Sequence, residues 1–211
     1  MLAEAEAAGM EFELVAVRKG EEFMARSGKH VTLTPAVFRG VAQTVTPQGV
    51  IAIARIQELD AHAAVEAARR KRWPLVVLDG VQDPGNVGAI CRTAAAAGAP
   101  ALVVLQGSAD PYGTKAVRAS AGNVFRLTVA HGAWSDLAGL DGYGAAASGG
   151  EPLARAPIEN AGMIVLGSEA HGLSRGDLKT VTVPLAAGVE SLNVAAAAAL
   201  LLFEVRRRKA G

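Results

Sequence analysis

The sequence predicts an α/β protein built on a largely parallel sheet. Three observations carry that prediction. From residue 75 onward, short apolar runs that read as strands alternate with helical patterns, the signature of βαβ units whose helices cover both sheet faces. Several of those runs end in polar, glycine-rich turns: residues 79–92 (DGVQDPGNVGAICR), 166–174 (LGSEAHGLS) and 183–194 (VPLAAGVESLNV). The composition agrees, with 51% hydrophobic residues, 24 Gly and only 4% aromatic residues. Polar turns at the carboxyl ends of strands are where an open α/β sheet places its ligand, and three of them in one small domain point to one site assembled from distant segments.

At 211 residues the chain has room for a full domain and a small one. Residues 1–57 read as a short α/β unit. A helix at 2–8 is followed by a strand at 11–17, a short helix near 21–25 and a strand at 31–33. A helical turn at 35–42 comes next, and the turn residues Pro47 and Gly49 lead into a last strand at 50–54. Residues 56–71 carry apolar side chains at Ile56, Leu59, Ala63 and Ala67, so a helix joins the two parts and 58–74 serve as the linker. Pro74 closes it, because the residue before proline is pushed out of the helical region. In the main domain, 75–211, strands are expected at 75–79, 101–105, 125–129, 143–147, 163–167 and 181–183. Helices are expected near 86–97, 113–120, 134–139, 175–178 and 191–208. Ser191 is a good N-cap for the last helix. Residues 194–203 of that helix are apolar on nearly every face, which calls for burial on more than one side, in the protein's centre or at a subunit interface.

Composition also excludes function classes. Residues 195–203 are too short and too close to charges to span a membrane. The N-terminus lacks a signal-peptide pattern, so a cytoplasmic location is expected. Cys91 is the only cysteine, which rules out an internal disulfide and a thiolate cage. His30, His62, His131 and His171 lie far apart, without metal-ligand spacing, so no metal is expected. Net charge is +1, yet residues 69–72 (RRKR) and 206–209 (RRRK) hold eight of the 21 basic residues. A helix C-terminus and a solvated linker explain these clusters adequately; they become phosphate contacts only if the site acts on RNA.

Each polar turn has a plain structural reading as well as a functional one. The glycines at 80, 85 and 88 do not make the dinucleotide fingerprint. Asn86 could simply cap a helix and Arg92 could be a surface cation, while Gly88 and Ala89 let another backbone come close. After the next strand, Gly167 permits a ligand to lie on the backbone and Glu169 offers an acceptor or a negative charge; an ordinary turn would look the same. His171 has nothing nearby in sequence to orient it as a base. Glu190, Ser191 and Asn193 at the start of the last helix could bind a polar ligand or merely cap.

Taken together and in order, NVGAICRTA, LGSEAHGLS and VPLAAGVESLNVAAAAALLLFE closely resemble the motifs of the SpoU (TrmH-like) branch of the SPOUT methyltransferases. Residues 110–127 (DPYGTKAVRASAGNVFRL) resemble that family's stretch between its first two motifs. The resemblance spans about residues 75–208. It implies a C-terminal trefoil knot, a homodimer, and transfer of a methyl group from S-adenosyl-L-methionine to a ribose 2′-hydroxyl of RNA. By motif position, main-chain atoms of Gly167, Val183 and Leu192 hold the cofactor, with Leu166 and Pro184 beside them and Ser148 lining the same pocket. Residues 1–57 resemble, more loosely, the ribosomal-protein-like RNA-binding domain fused to many relatives. The chain opens with MLAEAEAAGMEFELVAV, inside that domain's pattern, so either a truncated version of the domain or an incomplete version of a longer protein is expected.

The resemblance assigns Arg92 a catalytic role, with Asn86, Glu169, Ser191 and Asn193 orienting it and the ribose, and makes Arg118 a phosphate contact. A guanidinium is effectively never deprotonated in a protein. Arg92 is therefore expected to clamp the substrate phosphate and stabilise charge on the 2′-oxygen while a phosphate oxygen or water takes the proton. Cys91 is read as a buried hydrophobe rather than a nucleophile. The substrate expected is large-subunit rRNA; a tRNA target and a non-catalytic RNA-binding or assembly protein that keeps the pocket are the alternatives.

Overall fold

The computed structural model describes residues 1–42 and 47–210. The chain divides into two units, Leu2–Gln57 and a larger one from Glu58 onward.

In the first unit, helix α1 (Leu2–Ala7) precedes β1 (Phe12–Arg18), β2 (Lys29–Leu33), helix α2 (Pro35–Val41) and β3 (Val50–Ala54). The sheet order is β2-β1-β3, with β2 parallel and β3 antiparallel to the central strand. That central position buries Phe12, Val15, Ala16 and Val17. Thr34 caps α2, its hydroxyl accepting from the Val37 amide at 3.4 Å, and Pro35 occupies a first-turn position that needs no amide donor. The helix expected near 21–25 is absent. Its backbone donors are taken elsewhere: the Ala25 amide donates to His30 Nε2 at 3.1 Å, and the Glu21 amide to the Arg18 carbonyl at 2.9 Å.

The second unit is a seven-stranded sheet, every pair parallel, in the order β6-β5-β4-β9-β7-β10-β8. Its elements are α3 (Ala61–Lys71), β4 (Leu75–Asp79), α4 (Pro84–Ala97), β5 (Ala101–Leu105), α5 (Thr114–Ala119), β6 (Thr128–Gly132), β7 (Gly142–Ala145), β8 (Glu151–Pro152), β9 (Met163–Gly167), β10 (Lys179–Thr182) and α6 (Val194–Ala210). Both faces are covered. Along β4 and β5, Leu75, Val77 and Val103 face a layer with Ala64 and Ala68 of α3, while Val76, Leu78 and Leu102 face one with Ile90 and Ala94 of α4 and Leu202 of α6. Strands buried on both sides read as unbroken apolar runs, which is why LVVL and ALVVL were recognisable. Each fully buried Leu or Ile here contributes about 1.5–3 kcal/mol.

Four expectations in this unit need correction. The helix before β4 begins at Ala61 rather than 56, because the Asp60 carboxylate caps it through the Ala63 amide at 2.9 Å; residues 58–74 are part of this unit, and α3 packs on its sheet. The strand expected at 125–129 starts at Thr128, since Asn123–Arg126 forms a single 3-10 turn after Gly122 at φ 83°. Only a 3-10 turn, Trp134–Leu137, stands where a helix was expected at 134–139; it starts where Asp136 accepts from the Ala133 amide at 2.8 Å. No helix forms at 175–178, where Ser174 is tied to Asp79 and Arg175 to Asp177.

Candidate active site

The site grows from the first turn of α4. Asp83 caps that helix by accepting from the Asn86 amide at 3.0 Å, and Pro84 fills the first turn without wasting a donor. Lys115 donates to the same carboxylate at 2.8 Å; chiefly through this bond, and then through the Asn86 amide, Asp83 is held below the usual carboxylate range. This fixes Asn86, half-buried, at the helix end. Its side chain then joins the other two polar turns. Asn86 Nδ2 donates to Glu169 Oε1 at 2.5 Å, across 83 residues of sequence. Asn193 Nδ2 donates to Asn86 Oδ1 at 3.0 Å, across 107 residues. Asn193 Oδ1 accepts from the amides of Ala195 and Ala196, at 2.9 and 3.3 Å.

The order of donors in this chain has a physical cause. An ionised carboxylate only accepts, so Asn86 must turn its NH2 to Glu169 and its oxygen to Asn193. Asn193 is left with its own oxygen free for the helix amides, and it is therefore the N-cap of α6. Ser191, expected in that role, lies three residues before the helix starts, exposed and without a hydrogen bond among the described residues. Two helix N-termini thus meet beside one carboxylate.

The loop that carries Glu169 is itself clamped. Ser168 and Gly172 exchange backbone hydrogen bonds at 2.9 and 2.8 Å. Gly167 lies so close beneath them that a Cβ would come within 2.5 Å of the Gly172 carbonyl. Beyond the turn, the buried Asp79 carboxylate accepts from the Ser174 amide at 2.6 Å and its hydroxyl at 2.8 Å. Trp134 Nε1 donates to that hydroxyl at 3.0 Å, and Arg175 stacks over the Trp134 ring at 5.1 Å. Asp79 and Ser174 were present in the quoted turns, but nothing in their spacing announced that they bond.

Beside this network opens a cavity of about 410 Å³. Gly167, Glu169, Val183, Ser191, Leu192 and Asn193 line it, as do Ser168, Gly172 and Leu185. Ala145, Ala146 and Ala147 form another part of the wall; they were missed, and their only signal was their position at the end of an apolar run. Ser148 and Pro184 are exposed and adjoin the wall without lining it, and the Leu166 side chain belongs to the core. Strands β7, β9 and β10 all deliver their carboxyl ends to this cavity. It lies at the carboxyl ends of the strands, the side on which an open parallel sheet offers a ligand. Apolar Val181, Val183 and Leu201 with a polar rim of Ser168, Ser191 and Asn193 suit a small molecule having both characters.

Arg92 and Arg118 are exposed, outside the cavity wall, and their side chains make no hydrogen bond or ion pair among the described residues. Arg92 follows Gly88 by one helical turn, and Gly88 allows α4 to meet α5 closely: a Cβ there would come within 2.2 Å of the Ala116 carbonyl. Cys91 is fully buried, and that burial pushes its thiol up to about 12. Among the described residues no three His, Cys, Asp or Glu side chains are grouped to hold a metal, and no helix is long and apolar enough to cross a membrane.

Comparison with known proteins agrees with this geometry. The model of the SpoU rRNA Methylase family matches residues 74–203. The chain is 34% identical over 185 residues to the 23S rRNA (guanosine(2553)-2'-O)-methyltransferase RlmP of Bacillus subtilis, covering 82% of this chain and 71% of that one. Among solved structures, an AdoMet-bound rRNA methyltransferase from Sinorhizobium meliloti superposes with a TM-score of 0.81 at 25% identity, over 98% of this chain and 84% of that one. A TrmH-family structure from Porphyromonas gingivalis gives 0.78 at 29% identity, over 98% and 87%. The three motif segments lie within the matched region and are the ones joined by hydrogen bonds around the cavity, and the chain belongs to the SpoU rRNA methylase family.

Proposed function

We propose that this protein transfers a methyl group from S-adenosyl-L-methionine to the ribose 2′-hydroxyl of a guanosine in large-subunit rRNA. The observation that carries the reading is the Glu169–Asn86–Asn193 chain at the wall of the cavity. The cavity fits the cofactor in size, in its mix of apolar wall and polar rim, and in the glycines Gly167 and Gly172 that line it. Gly167, Val183 and Leu192 would hold it. When bound, the cofactor supplies an electrophilic methyl group on a sulfonium. The residues of the chain must then bring up the acceptor and handle its proton.

Arg92 does the first of these. Its guanidinium has no competing hydrogen-bond or ion-pair partner among the described residues, so its fork is available to two oxygens of the RNA phosphate, which sets the ribose in place. Its fixed charge stabilises the negative charge that grows on the 2′-oxygen, and the proton leaves to a phosphate oxygen or a water. Asn86, Glu169 and Asn193 keep the ends of α4 and α6 and the post-β9 loop in one geometry while this happens. Arg118, on the helix packed against Gly88, supplies a further phosphate contact. Homologous use of a knotted chain through residues 183–193, a homodimer and a cytoplasmic site of action fit the same reading. The half-exposed Leu200 and Phe203 of α6 are suited to a subunit interface.

Replacing Arg92 by Lys keeps the charge and removes the fork. The expected result is a 10- to 100-fold lower rate with saturating RNA, about 1.4–2.7 kcal/mol of transition-state stabilisation, and unchanged cofactor affinity by calorimetry. A full rate in Arg92→Lys would remove the clamp. Mass mapping of methylated rRNA and tRNA identifies the target. Cofactor binding without methylation of either would make the protein a binding module.

A further inference from the structure

The methyl-transfer site uses neither of the two basic runs of this chain, yet the structure brings them together. Arg69 and Arg72, at the end of α3, and Lys209, in the last turn of α6, line one cavity of about 340 Å³. Leu75, which opens β4, and Gly162, which precedes β9, form its floor. The cavity therefore lies at the amino ends of the strands, and the cofactor cavity lies at the carboxyl end of β9, about 17 Å of strand away.

The charge in this cavity is not neutralised. Its one acidic residue, Glu159, is taken by Arg208 at 3.0 Å. Arg69 pairs with Glu66 at 3.1 Å on an exposed helix face. The side chains of Arg72 and Lys209 have no hydrogen-bond or ion-pair partner among the described residues. Favourable placement of cations at helix C-termini accounts for Arg69 and Lys209, which lie in last turns. It does not account for Arg72. That residue follows the helix in the left-handed region, at φ 52° and ψ 43°, where glycine is the residue without a steric cost. An arginine in a conformation that favours glycine thus lines the cavity. Trp73, next to it, adds an aromatic wall, and its enclosed Nε1–H has no acceptor.

We infer that this cavity is a second anion site, which takes a backbone phosphate of the RNA substrate remote from the ribose being methylated. An arginine fork and an ammonium group beside an aromatic surface are the groups that bind a nucleic-acid strand without reading its sequence. The inference rests on the RNA methyltransferase reading, and one experiment separates the two. Binding of a large-subunit rRNA fragment is measured at several salt concentrations for the wild-type chain, Arg72→Gly and Lys209→Gln, alongside calorimetry with S-adenosyl-L-methionine. Each variant is expected to bind RNA about 3- to 10-fold more weakly and to flatten the salt slope by about 0.7–0.9, with cofactor affinity retained. Arg72→Gly also relieves the left-handed conformation, so it should melt no lower than the wild type; a weaker RNA complex in that variant cannot come from unfolding. Wild-type affinity and salt slope in both variants would overturn the second site while leaving the methyltransferase reading intact. If the wild-type chain neither binds nor methylates RNA, the function itself falls, and this inference with it.

Discussion

Gly167→Ala is a sharp test of how the cofactor cavity is built. The added Cβ would lie 2.5 Å from the Gly172 carbonyl carbon and oxygen and 2.8 Å from the Leu173 amide nitrogen. Ordinary contact begins at 3.4 Å, so the two backbones must separate by about 0.9 Å, the difference 3.4 − 2.5, and no flexible side chain can give way instead. The loop cannot move that far and keep its bonds. The Ser168 amide bond to Gly172 would stretch from 2.9 to about 3.8 Å, beyond hydrogen-bonding range. Glu169, in the same turn, would be drawn off Asn86. Overpacking of this kind costs about 2 kcal/mol, or a melting point about 4–8 °C lower for a chain of this size. Because Gly167, Ser168, Glu169 and Gly172 all line the cavity, cofactor affinity should fall at least 10-fold, about 1.4 kcal/mol. Calorimetric titration with S-adenosyl-L-methionine and a thermal scan read both quantities. Gly176→Ala is the control, since nothing lies within 4 Å of a Cβ there, and it should behave as wild type. Wild-type cofactor affinity in Gly167→Ala would refute the reasoning, as would equal losses in the two variants.

Other expectations follow from the same structure. Cys91→Ser should lose about 1 kcal/mol of stability, from burying a hydroxyl, and keep its methylation rate, because the thiol pushed up to about 12 supplies no thiolate at neutral pH; loss of turnover with intact cofactor binding would show a nucleophile. In a double-mutant cycle of Asn86→Ala and Glu169→Ala, read by thermal unfolding, the coupling should be about 1–2 kcal/mol, whereas additive losses would mean that the 2.5 Å bond is not formed in solution. Glu204 is brought down to about 2 by hydrogen bonds from Arg207 and Arg208. Its folded value lies below its unfolded one, so its contribution is complete above about pH 4.5 and is lost as pH falls toward 2, about 1 kcal/mol after solvent screening. Urea unfolding of Glu204→Gln should show a shallower acid decline than wild type over that window, and parallel curves would count against the pairing.

Strands buried on both faces were legible because their apolar runs are continuous, as in LVVLD and ALVVL. The three polar turns were legible because Asn, Glu and Ser have no place in a core. Short elements were not, and the reason is competition for backbone groups. Residues 21–25 have helical composition, but His30 takes the Ala25 amide. Residues 175–178 follow a serine held by Asp79, which lies 95 positions away. The β8 strand, Glu151–Pro152, is two residues long and contains a proline that only an edge position tolerates. Ser191 and Asn193 are equally good caps on paper. Only Asn86, placed by the fold, decides between them, because a carboxamide can accept from the helix while donating to another side chain and a serine hydroxyl two residues earlier cannot reach.

The same contrast explains why the predicted site residues separate into two groups. Asn86, Glu169 and Asn193 are bonded to one another in the chain alone, whereas the side chains of Arg92 and Arg118 make no hydrogen bond or ion pair among the described residues. A group that shapes a pocket must be fixed before the ligand arrives, and the energy of its bonds goes into that geometry. A group that recognises a phosphate has the opposite requirement. Had Arg92 been paired with a carboxylate, each encounter with RNA would first break an ion pair and leave the carboxylate beside a phosphate of like charge. With no acid bound to it, its full charge and both arms of its fork remain for the substrate. An acidic residue introduced one turn from Arg92, at Ala96, should therefore slow methylation by raising the RNA concentration needed for half-maximal rate, with the cofactor site untouched. If Ala96→Glu leaves that concentration unchanged at low salt, Arg92 is not the phosphate clamp.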